Sequence, residues 1–319
     1  MRRMRINGKR TVSNGRYLSA AVLFCVGLVF LYGCFHEKQS GSTAVSAHSR
    51  YVVVTESLAG REEVPLEEYL IGALAVTVPE DFSAQACRAQ AVILRTNAVW
   101  FAQEAGSERI YCQDLGQNFL TVRELEEKWG DAYAEQYEKL ADAVYDTRDQ
   151  IMQYEGIPVE LPYFPLSAGM TRSGEGLALQ ETYPYLQSVP CTADPFSEHF
   201  EQEIILTQSE IAKTLGEMFD SEEEVAWEDI ELVWDSAGYV TEMTWKEKRI
   251  SGEQFRAKLG LASACFTVEQ DKNRLYIVTK GIGHGLGMSL YEANEMGKEG
   301  KEYQEILGYF FPDCEIVKN

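Results

Sequence analysis

The sequence predicts an α+β fold, a single extracytoplasmic domain of mostly antiparallel sheet with helices, preceded by an N-terminal transmembrane helix. Three observations predict it. Helical and strand-like periods follow one another without the regular βαβ alternation of a parallel sheet. Turn residues such as Glu155-Gly156 and Ser236-Ala237-Gly238 sit between short apolar runs, as in hairpins. One uncharged run of nineteen residues, Tyr17 to Phe35, lies near the N-terminus.

That run is just long enough, at about 1.5 Å per helical residue, to cross a hydrocarbon core of about 30 Å. Six of the 29 Lys and Arg residues precede it, and all 50 acidic residues follow it, beginning at Glu37. Cations on the N-terminal side keep that side in the cytoplasm and send the remainder outward. The expected organisation is a basic cytoplasmic head (1–16), a membrane anchor (17–35), a polar tether (36–50) and one domain (51–319). A cleaved signal peptide and a lipoprotein are the alternatives. No A-x-A site supports the first, and Leu31-Tyr32-Gly33-Cys34 only resembles a lipobox. All three leave the domain outside the cytoplasmic membrane.

The acidic balance, a net charge of -21, argues against nucleic acid as a partner, because that affinity comes from Lys and Arg at phosphates. Cys87, Cys112, Cys191, Cys265 and Cys314 are scattered and contain no CxxC, so the sequence leaves their disulfide state open, as it does lipidation of Cys34. His36, His48, His199 and His284 have no second ligand at metal-binding spacing, and neither a metal nor another cofactor is expected.

Along the domain, Tyr51–Thr55 is a β-branched strand and Leu66–Val76 a helix stopped by Pro79. Ser83 is a good N-cap for an alanine-rich helix reaching about Gln103. Thr121–Thr147 shows helical spacing of charged and apolar residues and reads as one surface helix. A hairpin spans Gln150–Phe164, a helix Ser209–Phe219, and strands flank residues 236–238 and 271–273. A last helix runs from about Ser289 to Lys298 and leads to Tyr303–Phe311.

Three segments carry candidate chemistry. Gly281, Gly283, Gly285 and Gly287 alternate around His284, leaving one backbone face bare for another chain or a ligand. The spacing fails the dinucleotide G-x-G-x-x-G, and His284 reads either as a substrate contact or as a structural imidazole. Leu166-Ser167-Ala168-Gly169-Met170-Thr171 presents hydroxyls on a tight turn without the G-x-S-x-G of a nucleophilic serine. Arg95, on the alanine-rich helix, either pairs with an acid or reaches a polar ligand.

These segments resemble the stage II sporulation protein D family, also known for its amidase-enhancer domain. Val64-Pro65-Leu66-Glu67, the Ala89-Gln90-Ala91 helix, Ser167 to Thr171, Pro184-Tyr185-Leu186 and His284 through Pro312 follow that family's motifs in order. The similarity covers roughly residues 51 to 316. It implies a membrane-anchored lytic transglycosylase that cuts peptidoglycan glycan strands during forespore engulfment, alongside a peptidoglycan amidase or endopeptidase. In that chemistry one glutamic acid protonates the glycosidic oxygen and then takes a proton from the sugar's own hydroxyl as an anhydro ring closes.

At the position of that glutamate this chain has Thr77. A hydroxyl cannot do acid–base work near neutral pH, and such a loss costs on the order of 10²–10⁴-fold. Glu80 is the candidate displaced acid, with Asp81 beside it. Arg95, Ser167, Thr171, His284, Gly285 and Ser289 are the candidate substrate-binding positions. Leu290, Asn97 and Met170 depart from the family pattern, and Cys112-Gln113 lacks the histidines through which some members bind zinc. Three readings follow: a glycan-binding relative with weakened or lost activity, an active enzyme using Glu80, or a tethered interaction domain without glycan affinity.

Overall fold

A computed structural model describes residues 50–57, 60–174 and 183–319. The expected head, anchor and tether lie outside the described residues, except that Arg50 ends the tether. Among the described residues no helix is long and apolar enough to cross a membrane.

Strand β1 (Val52–Ser57) pairs antiparallel with β2 (Gly60–Pro65), and Pro65 then opens helix α1 (Leu66–Thr77). A Pro with φ of -53° is already set for a helix start. Pro79 ends α1, and Ser83 Oγ accepts the Ala86 N–H at 3.2 Å to start α2 (Ala84–Ala105). This is the longest described helix, and it lies inside the molecule. Ala86, Ala89, Ala91, Ala98 and Ala102 are buried on it, and such small side chains let neighbouring elements approach closely. β3 (Arg109–Tyr111) then adds parallel to β1, giving a sheet of order β2-β1-β3.

The surface helix expected over Thr121–Thr147 is two helices. α3 (Val122–Trp129) stops at Gly130, whose φ of +51° lies outside the right-handed α region, and α4 (Tyr133–Asp146) restarts after a single 3₁₀ turn. The helical period survives that break, which is why the pattern looks continuous. β4 (Gln150–Tyr154) and β5 (Ile157–Pro158) form the expected hairpin, and β6 (Tyr163–Phe164) follows.

Residues 201–280 build a second hydrophobic core. β7 (Glu201–Thr207) and α5 (Gln208–Met218) lead into β8 (Glu231–Trp234), β9 (Val240–Trp245) and β10 (Lys248–Ile250). α6 (Gly252–Leu259), β11 (Phe266–Asp271) and β12 (Arg274–Lys280) complete it. The antiparallel sheets β10-β9-β8 and β11-β12-β7 close over Leu215, Met243, Phe255 and Phe266. β13 (Met288–Ser289), α7 (Leu290–Lys298), α8 (Tyr303–Phe310) and β14 (Glu315–Lys318) return the chain to the first core, where α7 and α8 pack on α2. Antiparallel pairings dominate, so the mixed α+β architecture stands.

Candidate functional site

The glycine loop and the strand it pairs with build one wall of the site. β13 lies parallel to β6, with Met288 opposite Tyr163. Gly287 has a φ of +75°, and a Cβ there would sit 1.9 Å from the Pro162 carbonyl oxygen. The bare backbone face therefore receives the chain's own 162–167 segment. That close fit places His284 next to Tyr163, its ring against Phe164 at 5.5 Å.

Behind these residues lies a cavity of about 240 Å³, lined among others by Tyr69, Asn97, Gln117, Glu160, Tyr163 and His284. Each is held by the fold. Tyr69, on α1, donates its hydroxyl to the Gln117 carbonyl at 2.9 Å, and Tyr163 donates to the Gln117 side chain. Asn97, on α2, clips the backbone of Leu161 from both sides, donating to its carbonyl at 3.0 Å and accepting its N–H at 2.6 Å. Glu160 accepts the Tyr183 hydroxyl at 2.7 Å, and its own carbonyl accepts that of Tyr185.

Protonation follows from burial. The Leu286 N–H donates to His284 Nδ1 at 3.1 Å, so the proton of the neutral ring sits on Nε2. Burial holds the imidazole below its ordinary pKa; Glu253 pulls it back up, and Arg256 and Arg172 push it down. The neutral ring is thus the form present at pH 7. Burial likewise pushes the Tyr163 phenol up to about 12, so it remains an O–H donor. The cavity offers a carboxylate, an imidazole, amides and aromatic faces, a set suited to a polar, hydroxyl-rich ligand with apolar ring faces.

The residues assigned from sequence fall in different places. Of them, His284 lines the cavity. Thr77, at the far end of α1, donates its hydroxyl back to the carbonyls of Ala73 and Leu74 at 3.1 and 3.2 Å. Glu80 accepts the Trp129 indole N–H at 2.9 Å, and its carbonyl accepts Lys139 Nζ at 2.8 Å, which ties it to α3 and α4. Neither Thr77 nor Glu80 lines the cavity.

Arg95 is 2% exposed and pairs in bidentate fashion with Glu67 at 2.9 and 2.6 Å. Its remaining N–H groups reach the Val144 carbonyl at 2.9 Å and Thr147 Oγ1 and the Gln150 carbonyl at 3.3 Å. That joins α1, α2, α4 and β4 and leaves no donor for a ligand. Thr171 is a buried clip, donating to the Gln187 carbonyl at 3.2 Å and accepting the Val189 N–H at 2.9 Å. The Gly285 carbonyl accepts the Arg172 N–H at 2.7 Å.

Ser167 and Ser289 meet at a residue that sequence reading overlooked. Asp194, fully buried, accepts the Ser167 N–H at 2.6 Å and the Ser289 hydroxyl at 2.7 Å. Burial lifts its carboxyl to about 6 against the two serines, whose hydrogen bonds lower it. The Ser167 backbone N–H and the Ser289 hydroxyl therefore lock two motifs together, while Ser167 Oγ accepts the Gly169 N–H at 3.0 Å. Glu160 was also missed. The signal available for it was weak, one acid two residues after the buried Pro158 of a hairpin. Among the described residues no three metal-ligating side chains converge, and all five cysteines outside the N-terminal apolar run are free.

A sequence model of the family described as "Stage II sporulation protein" matches residues 55–154. Stage II sporulation protein D of Bacillus subtilis (strain 168) is 32% identical over 262 residues, covering 80% of this chain and 75% of that protein. The protein of the same name from Bacillus amyloliquefaciens is 31% identical over the same shares. The amidase enhancer of Bacillus subtilis is 36% identical over 55 residues, 17% of this chain and 8% of its own length.

Proposed function

The chain belongs to the stage II sporulation protein D family, and from that premise we propose that it is a sporulation-type cell-wall protein that binds peptidoglycan glycan strands with weakened or lost transglycosylase activity. The observation that carries this reading is the state of the family's acid position. Thr77 donates its hydroxyl to its own helix, and the candidate displaced acid, Glu80, is engaged by Trp129. Glu160 does line the cavity, but it is arranged as an acceptor of Tyr183's proton rather than as a donor. Binding needs acceptors, donors and ring faces, all of which are present; bond cleavage needs a proton source aimed at the glycosidic oxygen.

In this proposal residues 17–35 anchor the chain with its domain outside the cytoplasm, and a peptidoglycan amidase or endopeptidase is its working partner. The deeply acidic body makes local contacts, not the global field, the source of affinity for an anionic wall. The test incubates the chain with glycan strands stripped of peptides. Co-sedimentation without anhydro-sugar products is expected. Vigorous anhydro-sugar release by the unmodified chain, abolished in Glu80→Gln, would establish the displaced-acid enzyme instead. Absence of both binding and products would leave the interaction domain.

A further inference from the structure

The loop that carries His284 is also gripped from the second core, through a residue no motif includes. Arg172 follows the Ser167–Thr171 turn, and its side chain is 3% exposed. Its Nε donates to Asp235 Oδ2 at 2.6 Å, and its Nη1 donates to the His284 carbonyl at 3.1 Å and lies 3.6 Å from Glu253 Oε1. The guanidinium sits 4.7 Å over the Tyr239 ring. Its backbone N–H donates to the Gly285 carbonyl at 2.7 Å.

The far ends of these contacts are equally fixed. Asp235 Oδ1 accepts the backbone N–H groups of Ala237 and Tyr239, both at 3.0 Å, which shapes the β8–β9 turn. Glu253 belongs to the first turn of α6. A Cβ on Gly285 would fall 2.6 Å from the Tyr239 ring and 2.8 Å from Arg172 Cδ, so the loop, the arginine and the ring are in close contact. A planar fork can hold a carboxylate and a carbonyl at once, which a lysine's single ammonium does poorly.

We infer that Arg172 is a positioning residue for His284: it transmits the geometry of the β8–β9 turn and α6 to the cavity wall. The second core is then not a passive appendage. Whatever displaces its Asp235 turn moves His284. This rests on the proposed function only in taking the cavity as the working site.

The test follows the His284 ring by NMR in the full chain with isotope-labelled histidine, the signal being assigned by its loss in His284→Gln. Arg172→Met removes a cation and loosens the loop, and its His284 titration midpoint is expected to rise. Glu253→Gln removes the facing anion and is expected to lower the midpoint. Arg172→Lys keeps the charge but not the fork, and displaced ring shifts are expected. Unchanged ring shifts in Arg172→Lys together with an unchanged midpoint in Glu253→Gln would overturn the inference. This holds even if Arg172→Met fails to fold, and a fall in stability alone would mark Arg172 as a tie between cores. A failure of the unmodified chain to bind glycan strands would overturn the proposed function and leave this titration arm intact.

Discussion

At its N-terminal end α1 supplies Tyr69 to the cavity, where the hydroxyl is tied to Gln117 and the ring packs on Phe119 at 5.1 Å. Eight residues later, roughly 12 Å along the helix, the same element supplies Thr77, whose hydroxyl reaches only its own backbone. Residues at the first end are held by contacts that also hold the fold, so altering them disturbs packing. At the second end the hydroxyl is bonded to its own helix alone. Under the proposed function, this contrast is what lets the proton source be lost while the binding wall stays, because only the wall is built into the core.

The largest test of this contrast is Thr77→Glu. With the bound strand running from the cavity along α1 to Thr77, placing a carboxyl at this unsupported end is expected to raise anhydro-sugar release on the order of 10²–10⁴-fold, while chemical denaturation stays within about 1 kcal/mol of the unmodified chain. No gain in release would show that a strand held at the cavity does not pass Thr77, or that the wall holds no strand. At the supported end the effect falls on stability. Arg95→Met strands the nearly buried Glu67 and is expected to cost about 3–5 kcal/mol in a urea titration. A cost under about 1 kcal/mol would show that the two ends are not differently anchored.

Asp194 sharpens the same contrast through pH. Its carboxyl is lifted to about 6 from an ordinary 3.8, so the folded state binds its proton more tightly than the unfolded state does. The stabilisation is complete below the unfolded value and is lost as pH rises through the folded one. Between pH 4 and 6 this group should therefore remove up to about 3 kcal/mol, and Asp194→Asn should flatten that slope. The smallest effect is expected at Glu80→Gln. The amide oxygen still accepts the Trp129 N–H, so stability should change by less than about 0.5 kcal/mol and product release not at all.

Much of the fold was legible. Ser83 as an N-cap, the Glu155-Gly156 turn and the alternating glycines each state a local requirement that the structure meets. The break at Gly130 was not legible, because a glycine within a helical period reads equally as a tolerated interior residue. For the site, His284 was legible as the chemical side chain of the glycine loop, yet the sequence left its role undecided. Ser167, Ser289 and Arg95 looked available because hydroxyls and guanidinium groups bind ligands and buried partners with the same atoms. Asp194, Glu67 and Thr147, which engage these residues, are distant in sequence.

Residue identity and short spacing were enough for the classes of element, the family and the absence of a carboxylate at position 77. Which polar groups face the cavity and which are consumed inside became visible once the chain was folded. Folding alone joined Arg172 to His284 across 112 positions. Hydrogen bonds are satisfied by whatever the folded chain brings within about 3 Å, and that proximity has no counterpart in the order of the residues.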